Sequence, residues 1–138
     1  MFKSTNFHQV AAVLCLAFSS SAVAAQEDCD GIDVGITVVR AQEYAPLIAD
    51  AAGTSPEEVE FISVLESGSW TVVYAATPVA DPGYFFFEAA DGKKQFEDVW
   101  GGIASTSERA EQVAYAEGLG APSDLAACFA DQTAVIDD

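Results

Sequence analysis

Residues 70–100 read WTVVYAATPVADPGYFFFEAADGKKQFEDVW, and this stretch decides the fold. Trp70 to Thr77 alternates: Trp70, Val72 and Tyr74 point to one side, Thr71, Val73 and Ala75 to the other, the period-two pattern of a strand. Pro78 to Gly83, containing Asp81-Pro82-Gly83, carries the residues of a turn. Tyr84 to Glu88 is then a second strand of this stretch. Asp91-Gly92 is the dipeptide that favours a two-residue hairpin, because both positions tolerate positive φ. Gln95 to Trp100 follows as a strand and Gly101-Gly102 ends it. Strands in succession joined by short turns make an antiparallel meander.

Upstream, Glu58 to Glu66 extends the meander. Val59, Phe61 and Leu65 recur on a period of two that Ser63 interrupts, although Ser55 and Glu58 also have capping-box spacing. Before it, Ala41, Tyr44, Ala45, Ile48 and Ala52 fall at helical spacing, and Gly53 stands where a helix-ending glycine belongs. This predicts a helix over 38–52, distorted at Pro46. Downstream, Ser105 and Glu108 form a capping box, Ala110, Val113 and Ala114 share a face, and Gly118 and Gly120 stop that helix. A last helix spans Asp124 to Ala130 with Leu125, Cys128 and Phe129 on one side, and residues 131–138 are expected to fray. Helix, a meander of three to four strands, then two C-terminal helices is an α+β order.

The ends and the composition bound the function. Lys3, an apolar run from Val10 to Phe18 and Ala22-Val23-Ala24-Ala25 read as a secretory signal over residues 1–25. The run is too short to span a bilayer comfortably, and Cys15 lies in no lipobox, so no stable membrane insertion is expected after cleavage. Residues 26–138 then form one small exported domain, periplasmic or extracellular. The whole chain has 22 acidic and 5 basic residues, a net charge of −17, and loss of Lys3 with the signal makes it −18. Such a surface repels nucleic acid and suits a basic protein partner, or simply keeps the chain soluble. A salt-adapted host would produce the same balance.

The only histidine, His8, lies in the signal, so the exported part lacks the commonest general base and metal ligand. Serines have no histidine partner, zinc lacks ligands, no glycine-rich turn carries the lysine of a phosphate loop, and no cofactor is expected. Cys29 and Cys128, alone near opposite ends, read as a single disulfide in an oxidising compartment. Asp28, Asp30 and Asp33 around Gly31 are the one calcium candidate, but they miss the EF-hand register: Gln26 and Thr37 fall at its first and last ligands. Glu57, Glu58, Glu60 and Glu66 offer carboxylates to a hydrolase, yet nothing marks two of them as a pair. No catalytic residue and no metal ligand set is therefore assigned.

Tyr84-Phe85-Phe86-Phe87 is the most unusual local feature, since alternation makes both faces of that strand apolar. One face must meet helices. The other is either covered too, or exposed as a binding surface with Trp70, Tyr74, Tyr84, Phe86 and Trp100.

Ile36-Thr37-Val38, Ala41, Ala45, Ala52-Gly53, Glu57-Glu58-Val59, Trp70 to Tyr74, Tyr84 to Phe87 and Asp91-Gly92-Lys93 together resemble a PepSY domain. The likeness covers about half of residues 26–138. It implies a small exported module with a helix followed by an antiparallel sheet, of the kind associated with restraining peptidases or with protein contacts at the cell envelope. Pro46, the hairpin around Asp81-Pro82-Gly83 and the segment from Trp100 to Phe129 depart from it, and it carries over no functional residue.

Three functions follow in order of expectation. The first is a non-catalytic exported binding module, of inhibitor or immunity type, for a basic envelope partner. The second is a structural or stress-related envelope protein without a specific ligand. The third is a hydrolase using carboxylates alone. An open aromatic face favours the first and a covered one the second. Nothing in the residues sets an oligomeric state.

Overall fold

A computed structural model of the protein describes residues 29–102 and 104–135, the last two as backbone only. The signal, Asp28 and residues 136–138 lie outside the described residues. The first helix, α1, is Val38–Ala52, the predicted span. Thr37 caps it by accepting the Arg40 N–H at 3.1 Å, and Gly53 closes it in the left-handed conformation at φ 76°. Pro46 lies inside α1 on its exposed side, as does Gln42, whose carbonyl loses the N–H that proline cannot supply. The loss falls where the helix faces outward, and α1 continues through it.

Five antiparallel strands form one sheet in chain order: β1 (Asp33–Val34), β2 (Glu60–Ser67), β3 (Trp70–Thr77), β4 (Ala80–Ala90) and β5 (Lys93–Gly101). The chain is an α+β protein of the expected order, with β1 as an addition. Asp91 and Gly92 turn between β4 and β5 with φ of 53° and 75°, the mirror-image turn that two-residue hairpins prefer.

Two local readings change. The turn expected at Pro78–Gly83 is only Pro78-Val79, and Asp81-Pro82-Gly83 belongs to β4. Pairing slips there, from Ala75 opposite Gly83 to Thr77 opposite Ala80. This gives β4 an extra residue, and β5 ends opposite Gly83. Pro82 therefore sits in a bulge beyond the end of its other neighbour, where its missing donor costs little. The strand expected from Glu58 begins at Glu60, because Pro56–Glu58 makes a short 3₁₀ turn in which the Glu58 carboxylate accepts the Ser55 N–H at 3.1 Å. A second bulge falls between Phe61 and Ser63. It shifts the phase of β2, so Phe61 and Val64 share one face and Leu65 takes the other.

After β6 (Ala104–Ser105), a 3₁₀ turn over Thr106–Glu108 leads into α2 (Arg109–Leu119) and then α3 (Ser123–Thr133). Glu108 holds the Ser105 N–H at 2.8 Å, and Gly120 caps α2 at φ 111°, while Gly118 lies within the helix. The inward residues of α2 are Gln112 and Ala116, not Ala110 and Ala114. An Ala-rich helix has little apolar asymmetry to orient it, and Gln112 is drawn in by the Thr133 hydroxyl, which donates to it at 2.7 Å. Residues 131–135, expected to fray, continue instead. Asp131 pairs with Arg109 at 2.8 Å, Thr133 is buried, and β7 (Ala134–Val135) lies parallel to β6.

The sheet is covered on both sides. Tyr44 and Ile48 of α1 pack on Val64, Val73, Ala75, Phe85 and Phe87. Leu125, Ala126, Cys128 and Phe129 of α3, with Ala116 of α2, pack on Leu65, Trp70, Val72, Tyr84 and Phe86. Cys29 and Cys128 are bonded, with sulfur atoms 2.08 Å apart, and join the segment before β1 to α3. Tyr44 bridges α1 to the sheet, its hydroxyl donating to Thr71 at 2.9 Å and its ring meeting Phe87 at 5.0 Å.

Candidate functional site

The expected aromatic surface is a core. Trp70 and Tyr84 are only 4% and 6% exposed, Phe86 is fully buried, and Tyr74 and Trp100 are half-buried against the same cluster. Tyr74 stacks on Tyr84 at 4.2 Å, as their register places them opposite each other. Phe129 meets Tyr84 at 5.2 Å and Phe86 at 4.9 Å, both edge-on. Trp100 meets Tyr115 of α2 at 4.9 Å. These five residues do come together, as the alternation predicted. What the strand pattern could not show is that α2 and α3 lie on them.

Burial, with the neighbouring Tyr74 second, pushes the Tyr84 hydroxyl up to about 12. Burial also raises Tyr115, and nearby Asp98 adds to it. Trp100 Nε1 and Gln112 Nε2 are buried with no hydrogen-bond partner among the described residues.

The acidic candidates are placed just as plainly. Asp28 lies outside the described residues, Asp30 is exposed, and Asp33 is held by Arg40 at 2.6 Å. No group of three or more metal-ligating side chains occurs among the described residues. The Arg40 guanidinium hydrogen-bonds Asp33 and holds its carboxyl below the usual range. It also reaches Glu66 at 3.3 Å and the Gly35 carbonyl at 3.0 Å, tying α1, β1 and β2 together. Glu58 is lowered by the Thr54 hydroxyl and then by Ser55, and Glu108 by the Ser105 backbone N–H and hydroxyl. Each of these displaced carboxylates is pushed downward by a cap or an ion pair. That suits a structural anion, not a general acid, whose value must be raised.

The open apolar surface lies on the other side of the molecule. α1 crosses the middle of its sheet face and leaves a groove along each flank. The larger, about 460 Å³, runs between α1 and the start of β2, with Val38, Ala41, Ala45, Pro46, Val59 and Phe61 forming it and Gln42 and Glu57 at its border. Val38, which lines it, stands 73% exposed, and its neighbour Val39 is 72% exposed. Glu58 and Glu60 line the hollow next to it. The other groove, about 280 Å³, lies over Phe85, Val99 and Ala52, with Val79 and Asp81 at its mouth. No basic side chain among the described residues lines any of these three hollows.

The sequence contained one signal for this surface that strand-and-helix reading passes over. Val38-Val39 precede the first buried residue of α1 and fall outside its Tyr44–Ile48 stripe. No protein-family model matches this chain, and no curated protein or solved structure is similar to it.

Proposed function

We propose that the protein is a non-catalytic exported binding module for a basic partner. The distribution of its few cations carries this reading. Arg40 is engaged by Asp33 and Glu66, Arg109 by Asp131, and Lys94 lies over the Tyr44 ring at 5.9 Å. Carboxylates such as Glu57, Glu58 and Glu60 stand exposed. Lys93 stands exposed at the β4–β5 hairpin, but an acidic surface with so few cations, most of them engaged, attracts a basic protein at long range and binds it more weakly as salt rises. The resemblance to PepSY domains points to the same non-catalytic role at the envelope. Pull-down from envelope extract with the oxidised protein, eluted in salt steps, tests it. A basic protein released by moderate salt is expected, and no partner at low salt would sink the reading.

A specific observation favours a second reading. The aromatic strand is covered on both faces, as expected of a structural envelope protein with no ligand. On that reading Tyr84→Ser only destabilises the fold, and no basic protein is retained.

A further inference from the structure

We propose that the groove between α1 and β2 is the docking site for a segment of a basic protein in which apolar side chains are flanked by lysine or arginine. The inference rests on the binding-module reading and gives it a location and a ligand chemistry. Val38, Ala41, Ala45, Val59 and Phe61 give the groove an apolar floor large enough for one or two aliphatic side chains. Its border before β2 carries one carboxylate, Glu57, which stands exposed, and no cation lines it. Pro46 on the opposite wall withholds an N–H from the Gln42 carbonyl, so that wall offers backbone acceptor capacity to a partner's donors. An apolar floor, a backbone acceptor on one wall, a carboxylate on the other, no lining cation and a strongly negative molecule together select an apolar and cationic occupant.

A second copy of this chain is the wrong occupant. Each copy carries a net charge of −17, and docking would bring those charges towards each other. A purely cationic segment leaves the floor wet, and a purely apolar one leaves the carboxylate unpaired. Only the combination uses both features, and it also explains why Val38 remains exposed on so charged a molecule.

The test uses the oxidised protein and two labelled peptides of equal length, one alternating lysine with leucine and one alternating lysine with serine, read by fluorescence anisotropy at low salt. The lysine–leucine peptide is expected to bind at least about tenfold more tightly, since each well-buried leucine is worth roughly that factor or more. The amide resonances of Ala41, Ala45, Val59 and Phe61 are expected to shift. Ala45→Arg, which fills the groove, and Glu57→Lys should each weaken binding about tenfold. Glu117→Lys, the same charge change on α2, should weaken it less than about threefold. Glu57 is exposed, so Glu57→Lys keeps the test sound should Ala45→Arg unfold the chain.

Equal losses from Glu57→Lys and Glu117→Lys, or equal binding of the two peptides, would overturn the groove and leave diffuse acidic binding standing. Binding of neither peptide at low salt would overturn both. Self-association blocked by Ala45→Arg would assign the groove to a second copy and overturn the proposal.

Discussion

Breaking the Cys29–Cys128 bridge should cost the protein a large share of its stability. The perturbation is the double variant Cys29→Ala/Cys128→Ala. Alanine is preferred because Cys128 is fully buried and a serine hydroxyl there would need a partner. The bridge spans 99 residues of sequence, and closing a loop of about 100 residues in the unfolded chain is worth about 4.7 kcal/mol in the chain-entropy model. The folded state can recover part of this by releasing the segment before β1. Release would lose the burial of Ile32, worth about 1.5–3 kcal/mol. It would regain about 1–2 kcal/mol of backbone entropy for each freed residue, over the few residues from Cys29 to Ile32. At the low end of that entropy range the segment regains about 4 kcal/mol, so release is favourable by about 1–2.5 kcal/mol and the net loss is about 2–4 kcal/mol. With a urea m-value of about 2 kcal/mol/M, the midpoint should fall by about 1–2 M. Urea unfolding of oxidised protein and double variant, followed by tryptophan fluorescence, measures this. A midpoint change below about 0.3 M would refute the loop-closure reasoning and show that the bridge acts only on a segment already free to move.

Phe86→Ala removes a fully buried ring edge-packed on Phe129 and Tyr115 and should cost about 3–5 kcal/mol, while Phe96→Ala, at a position 41% exposed, should cost about 1 kcal/mol or less; urea midpoints compare them. A Cβ at Gly83 would come within 2.9 Å of Val99 Cγ2, so Gly83→Ala should destabilise by about 1–3 kcal/mol, and adding Val99→Ala should recover part of that, which a double-mutant cycle reads directly. Asp33, Glu58 and Glu108 titrate lower when folded than their ordinary values of 3.8, 4.5 and 4.5. Their stabilisation is thus complete above those values and lost as the pH falls through the folded ones, and Glu58→Gln with Glu108→Gln should flatten urea midpoints measured from pH 6 to 3. Tyr84 has the opposite sign: a hydroxyl raised from 10.0 to about 12 stabilises below pH 10 and loses that stabilisation as the pH rises towards 12, so Tyr84→Phe should reduce alkaline destabilisation and remove a late step from the ultraviolet phenolate titration.

The residues made some of this structure legible and hid the rest for physical reasons. The limits of α1 and β3 follow from local rules, a threonine cap and left-handed glycine for one and clean alternation for the other. Asp91-Gly92 specified its hairpin for the same reason. A bulge defeated the reading of faces in β2, because one extra residue reverses the face of everything beyond it, and another hid where β4 begins, although the faces of Tyr84 to Phe87 were read correctly. Tyr84 to Phe87 announced a strand apolar on both faces but not what covers it; the answer lies in α3, some forty residues on. The groove was hidden for a related reason. Val38, Pro46 and Phe61 are unremarkable alone and make a surface only once α1 is laid across the sheet.

The two faces of the sheet draw their covers from very different distances along the chain. The α1 side is assembled from residues between Tyr44 and Phe87, so it can close before the C-terminal part of the chain is in place. The α3 side cannot. Until Leu125, Cys128 and Phe129 emerge, a chain that already holds α1 and all five strands leaves Trp70, Tyr84 and Phe86 bare to whatever chaperones or aggregates meet it. Cys128 travels on that same late helix, and its thiol reaches Cys29 only as the helix settles over the aromatic face. Formation of the bond thus records that α3 has settled over the aromatic face.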